Sequence, residues 1–178
     1  ARVSFIYDTL LNIDKALKQQ KSSLQVEVGN PLEVWKKIIN KFNIETVFTN
    51  KDYEPYAIKR DKKVEEFLEA QQHFSEEKDT SEFKIRFNNF HQFTSEFPTL
   101  KTIGFTESSI KVKPYNLSHL DNYDEVRDFP SQDKTSYLSP YFRFGLVSVR
   151  KMVKLALKTN ATFLSELIWR EFFMQILY

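Results

Sequence analysis

The sequence predicts an α/β unit built on a parallel sheet, followed by an all-α unit. Three observations carry this. Helical and extended patterns alternate over the first third of the chain. A polar, phenylalanine-studded stretch without a sustained period follows. From about Asn116 onward the apolar spacing is helical to the end.

In order, Ile6, Leu10, Leu11, Ile13 and Leu17 lie close to helical spacing and predict a first helix. "LQVEV" alternates Leu24, Val26 and Val28 as a strand, and Gly29-Asn30-Pro31 closes it as a turn. "PLEVWKKIINKF" predicts a second helix, with Pro31 in its first turn and Leu32, Trp35, Ile38, Ile39 and Phe42 inward. "TVFTN" is a short strand and "YAIKRDKKVEEFL" a third helix. This alternation implies right-handed crossovers and a parallel sheet. Two strands cannot make a sheet covered on both faces, and no strand feeds the first helix. The expectation is therefore an incomplete chain: residues 1–69 a partial α/β domain, 70–115 a partly helical connection, and 116–178 the first part of a helical domain. Within the last, Ser139-Pro140 reads as an N-cap and first-turn pair for a helix running through the basic stretch, and "TFLSELIWREFFMQILY" is the final helix.

Composition narrows the chemistry. The 178 residues are 41% hydrophobic, enough for a core, and the net charge of +2 is too small to announce a nucleic-acid binder. Charge distribution says more. Residues 1–69 hold 12 basic and 11 acidic side chains, whereas Lys134 to Ser165 holds six basic residues (Lys134, Arg143, Arg150, Lys151, Lys154, Lys158) and no acid. That run is either an anion-facing surface or a solvated helix face. The absence of cysteine excludes disulfides, zinc–thiolate sites and thiol catalysis. Three glycines exclude a Gly-rich phosphate loop. No apolar run approaches the roughly 20 residues of a membrane span and no signal peptide opens the chain, so a soluble cytoplasmic protein is expected. His73, His91 and His119 lie on scattered polar stretches without ligand spacing; they are expected at the surface, with no metal.

Two stretches stand out. In "NYDEVRDFPSQDKTSYLSPYFRFG", Thr135, Ser136 and Ser139 place three hydroxyls and free N–H groups at a helix start, as a phosphate requires. Plain capping by Ser139 is the alternative. In "FLSELIWREFF", Glu166, Trp169, Arg170 and Phe173 fall at i, i+3, i+4 and i+7 and share one face, while Leu164, Leu167, Ile168 and Phe172 cover the other. Either Glu166 and Arg170 form an i,i+4 ion pair beside a half-buried Trp169, or the three form a recognition face for a base taken out of its stack.

"TSYLSPYFRFG" followed by "FLSELIWREFF", with Tyr123 twelve residues before Thr135, resembles the DNA photolyase/cryptochrome family, and specifically the class I cyclobutane-dimer photolyases. "FIYDTLLNIDKALKQQKSSLQVEVGNP" and "TNKDYEPYAIKRD" resemble that family's Rossmann-like antenna domain. "FPTLKTIGF" and "IKVKPYNLSHLDNY" resemble the stretch joining it to the all-α flavin domain, so the likeness covers nearly the whole chain. It implies light-driven electron transfer from reduced FAD to a cyclobutane pyrimidine dimer in UV-damaged DNA, splitting of the ring and return of the electron. Tyr123, Thr135, Ser136, Tyr137, Leu138 and Ser139 would line the FAD phosphate and ribityl region. Phe163, where many relatives have Trp, would stand as an aromatic wall near the flavin. Arg127 would lie near the DNA backbone, Glu166 and Trp169 would face the flipped dimer with Arg170 beside them, and Glu166 would stabilise the dimer radical anion by hydrogen bonding.

Departures from the family pattern shape the remaining expectations. Family members are more than twice this length, so this piece alone is expected to be inactive, without the helices that enclose FAD. A second antenna chromophore stays open: relatives binding a folate use an Asn-Glu pair where this chain has Tyr56 and Ala57. No membrane and no obligate protein partner are implied, and a monomer is expected. The rival readings are a cryptochrome-type photoreceptor, a (6-4) photolyase, and a non-catalytic remnant binding DNA weakly through Arg143 to Lys158.

Overall fold

The computed structural model of the chain describes residues 1–50, 52, 54–71, 74–77 and 91–176. Its elements run α1 (Arg2–Gln19), α2 (Pro31–Lys41), β1 (Thr46–Thr49), α3 (Pro55–Ala70), β2 (Phe74–Glu77), α4 (Tyr123–Val126), α5 (Ser139–Arg143), α6 (Val149–Thr159) and α7 (Ala161–Ile176), with a 3₁₀ turn at Pro130–Gln132 before α5. The chain divides into two compact units, residues 8–105 and residues 1–7 with 106–178.

In the first unit β1 and β2 pair in parallel, Thr46 opposite Phe74 and Thr49 opposite Glu77, joined by α3 as a crossover helix. Pro31 and Pro55 open α2 and α3, where the missing N–H costs nothing. Asn30 caps α2, its Oδ1 accepting from Leu32 N at 3.0 Å. Val47, Ala57 and Leu68 are buried. The inward side chains of α2 (Leu32, Trp35, Ile38, Ile39, Phe42) are only half-buried, and α2 has no fully buried residue. β2 lies inside the stretch read as a connection; Phe74–Glu77 is the crossover partner that β1 requires.

"LQVEV" is not a ladder strand among the described residues. Side-chain hydrogen bonds cluster at its start. Leu24 N–H donates to Asp14 Oδ1 at 2.9 Å, and Ser23 Oγ donates to Phe93 O (3.0 Å) while accepting from Ser95 N–H (2.8 Å). Asp14, on α1, is buried to 1% exposure and its other oxygen lies 2.7 Å from Lys18 Nζ, one turn along.

In the second unit Leu120, Leu138, Ala156, Phe163 and Leu167 form the core, with Leu117, Tyr123, Phe142, Met152, Val153 and Leu164 packed around it. α7 packs against α6 and α4. The helix expected through the basic stretch is two helices. α5 ends in a Schellman motif: Leu146 N–H reaches Tyr141 O (2.9 Å), Gly145 N–H reaches Phe142 O (3.3 Å), and Gly145 takes φ +67°. Ser139 is already the first helical residue, so it stands one place too late to cap; Leu138 holds that position. α6 restarts behind Ser148, whose Oγ accepts from Lys151 N–H.

The far side of α7 is also not as expected. Phe163 and Leu167 are its buried residues and Leu164 is half-buried, whereas Ile168 and Phe172 are exposed. The inward stripe is narrower than the sequence pattern because α6 and α4 cover one side of the helix.

Candidate functional site

α7 is fixed at its start by one asparagine. Asn160 Oδ1 accepts from Phe163 N–H (3.0 Å), while its Nδ2 donates to Asp124 Oδ1 (2.6 Å) and Asp121 O (3.3 Å). The cap thus ties α7 to α4, and that sets where Glu166 meets Arg127. Arg127 Nη1 donates to Glu166 Oε1 at 2.5 Å, and its guanidinium sits 5.6 Å from the centre of the Tyr123 ring. Tyr123 in turn meets Phe163 edge-on, centroids 5.2 Å apart. Burial pushes the Tyr123 phenol up; Arg127 opposes this, and Glu166 and Asp128 add to it. The bond to Glu166 holds the Arg127 guanidinium above its ordinary value.

Glu166 therefore pairs with Arg127, not with Arg170 one turn on. Arg170 lies with its guanidinium 5.8 Å from the centre of the Phe142 ring. Trp169 is 52% exposed and forms an aromatic group with Phe172 and Phe173, at 5.5 and 6.0 Å between centroids. The indole thus lies outside the unit's core, with Phe172 edge-on and Phe173 tilted against it.

The hydroxyl loop is held from outside. Asp133 (φ +47°) and Tyr137 (φ +55°) both take left-handed backbone, uncommon for such residues and concentrated here around Lys134, Thr135 and Ser136. Lys113 clamps both ends. Its Nζ lies 3.1 and 3.2 Å from the Asp133 oxygens, 2.8 Å from Tyr137 Oη and 4.7 Å from the centre of the Tyr137 ring, and Tyr137 Oη also bonds Asp133. Asn116 N–H donates to Ser136 O at 2.9 Å. Thr135 and Ser139 are exposed, Ser136 half-buried, and the Leu138 side chain is buried in the core. Phe163 is likewise buried, so its ring reaches the site through Tyr123.

His91 is exposed and His119 half-buried; His73 lies outside the described residues. Among the described residues no group of three or more His, Asp or Glu could hold a metal ion, and no helix is long and apolar enough to cross a membrane. Sequence reasoning missed Asn160, Lys113 and Asp133. Asn160 had a readable signal, a capping residue just before an apolar helical run. Lys113 and Asp133 lie 20 residues apart and have no local signature.

A family model described as DNA photolyase matches residues 1–83. The deoxyribodipyrimidine photo-lyase of Halobacterium salinarum is 24% identical over 241 residues, covering 99% of this chain and 50% of that protein. An archaeal photolyase structure from Sulfolobus tokodaii, described with two FAD molecules, superposes with a TM-score of 0.69 at 25% identity over 97% of this chain and 47% of its own. A bacterial class III photolyase from Agrobacterium tumefaciens shares the fold, with a TM-score of 0.73 at 16% identity over 98% of this chain and 49% of its own. The chain is similar to DNA photolyases over nearly its whole length, and the family model covers its first 83 residues. The chain spans about half the length of the curated relatives it matches.

Proposed function

We propose that the protein carrying this chain is a deoxyribodipyrimidine photolyase, repairing cyclobutane pyrimidine dimers in UV-damaged DNA under light. The observation that supports this most is the α7 face, where a half-exposed carboxylate and a half-exposed indole stand one turn apart. A flipped pyrimidine offers a ring face for Trp169 and imide N–H and carbonyl groups for Glu166 and Arg170.

The 133–139 segment fits FAD as cofactor. Its hydroxyls on Thr135, Ser136 and Ser139 are not buried, Ser139 is not spent on a cap, and the strained backbone is already held by Lys113. These residues and Tyr123 would hold the phosphate and ribityl groups, with Leu138 contributing backbone and Phe163 backing Tyr123. When bound and reduced, the flavin supplies the electron. The chain's own residues do the rest: Trp169 positions the dimer by stacking, and Glu166 accepts or shares a hydrogen bond at the base. That bond is strongest once water has been excluded. An antenna pigment would belong to the α/β unit. There Ala57 is buried and Tyr56 exposed, so this pair offers neither amide nor carboxylate to a folate.

The test is a light-driven repair assay on the full-length protein with a thymine-dimer oligonucleotide and a dark control. Repair in light only is expected, with Glu166→Gln lowering its yield several-fold. Bound flavin without repair would instead identify a photoreceptor, and repair confined to (6-4) lesions would change the substrate.

A further inference from the structure

We propose that Glu166 is an internal competitor for Arg127: the carboxylate occupies the guanidinium that a DNA phosphate would take, so that backbone binding releases Glu166 toward the base. The inference rests on reading this face as one that receives damaged DNA, and it adds a coupling between the backbone contact and the base contact.

Three features carry it. First, the pair is close but weakly held. Arg127 Nη1 lies 2.5 Å from Glu166 Oε1, yet the side chains keep 31% and 36% exposure, the range in which ion pairs contribute little and are readily exchanged. Second, the guanidinium has a support that does not depend on Glu166. The Tyr123 ring lies 5.6 Å away, itself wedged edge-on against buried Phe163, so the cation stays in place when its anion changes. Asp128, 3.5 Å from Arg127 Nε, is the other acid on this cation. Third, a guanidinium binds phosphate through two parallel N–H bonds, a geometry that outcompetes a single bond from one carboxylate oxygen. Trp169 lies one turn along α7 from Glu166, so the carboxylate released is the one beside the stacking platform. Arg127 acts here as a positioning residue: it keeps Glu166 engaged until DNA arrives.

The competition makes a counterintuitive prediction. Glu166→Gln should weaken preference for a dimer, yet bind intact duplex more tightly, by about two- to five-fold, because Arg127 is freed. Loss of a negative charge alone would tighten binding whatever residue stands at 127. The experiment is therefore a double-mutant cycle on the full-length protein in the dark, measuring affinity for one duplex with and without a single thymine dimer. The tightening toward intact duplex should appear with Arg127 present and vanish in Arg127→Gln. Equal tightening in both backgrounds, or none in either, overturns the proposal. Should Arg127→Gln not fold, Arg127→Met, which keeps the apolar stem and removes the guanidinium, takes its place in the same cycle, and tightening that persists in that background overturns the proposal. A parent protein with no preference for the dimer would count against the repair function instead, while the cycle on intact duplex would still test the competition.

Discussion

Asp14 shows how one buried charge is made tolerable. Burial pushes its carboxyl up, but the bonds from Lys18 and from Leu24 N–H outweigh this and hold it below the ordinary value. A carboxyl depressed in the folded state stabilises the fold above its unfolded value near 3.8, and that contribution disappears as pH falls through the folded value. Thermal melting followed from pH 7 to pH 3 should show this loss, and Asp14→Ala should flatten it while costing about 1–3 kcal/mol at neutral pH. In the Lys113 clamp Asp133 obeys the same sign, whereas Lys113 has the opposite one, its contribution being lost only as pH rises. Asp133 is held low by Tyr137 and then Lys113, while Lys113 is held high by Tyr137 and then Asp133. Acidification below the ordinary Asp range should therefore loosen residues 133–137, and Lys113→Met should do so already at neutral pH. Amide exchange across the loop reads both. Neither residue announced itself in the sequence, since a charged side chain looks the same whether it is buried, clamped or solvated.

At the scale of elements, two helices end alike with different residues. α1 closes with Ser22 N–H on Leu17 O (3.1 Å) and Lys21 N–H on Lys18 O (3.1 Å), which places Lys21 at the left-handed position with φ +59°. Gly145 fills the same position after α5 without strain. Lys21→Gly should then stabilise by about 1 kcal/mol, and Gly145→Ala should destabilise by about 1–2 kcal/mol. A Cβ at Gly145 would meet nothing within 4 Å, so the expected cost there is backbone alone. Denaturant melts of the two variants test the pair; a Gly145→Ala protein as stable as the parent would refute this account. The helices themselves were legible from apolar spacing. Their breaks were less so: the Gly145 stop depends on backbone bonds and the Ser148 restart on a side-chain cap, and "LQVEV" alternates as a strand yet is not a ladder strand among the described residues.

For the molecule as a whole, burial is uneven. The 106–178 unit has a five-residue core that joins α6, α7 and the 117–142 segment, whereas α2 has no fully buried residue. Amides in α7 from Leu164 to Leu167 should therefore exchange more slowly than those of α2, since local opening costs least where little apolar surface is buried. Native-state hydrogen exchange measures this directly, and equal protection in the two helices would contradict it. The one-sign run from Lys134 to Ser165 stays exposed at Arg143, Arg150, Lys151, Lys154 and Lys158. It gives that stretch a single sign of charge although the net charge of the chain is only +2.

What the sequence determined by itself was periodicity and residue chemistry: which segments are helical, which side chains share the α7 face, and which hydroxyls cluster before α5. These follow from local geometry, since neighbours at i+3 and i+4 meet in any α-helix. What only the tertiary structure decided was pairing across distance. Glu166 could have met Arg170 one turn away, and it bonds Arg127, 39 residues earlier, because the Asn160 cap sets α7 against α4. Which of two available cations a carboxylate meets is fixed by how helices pack, and packing is not written in any single stretch of the chain.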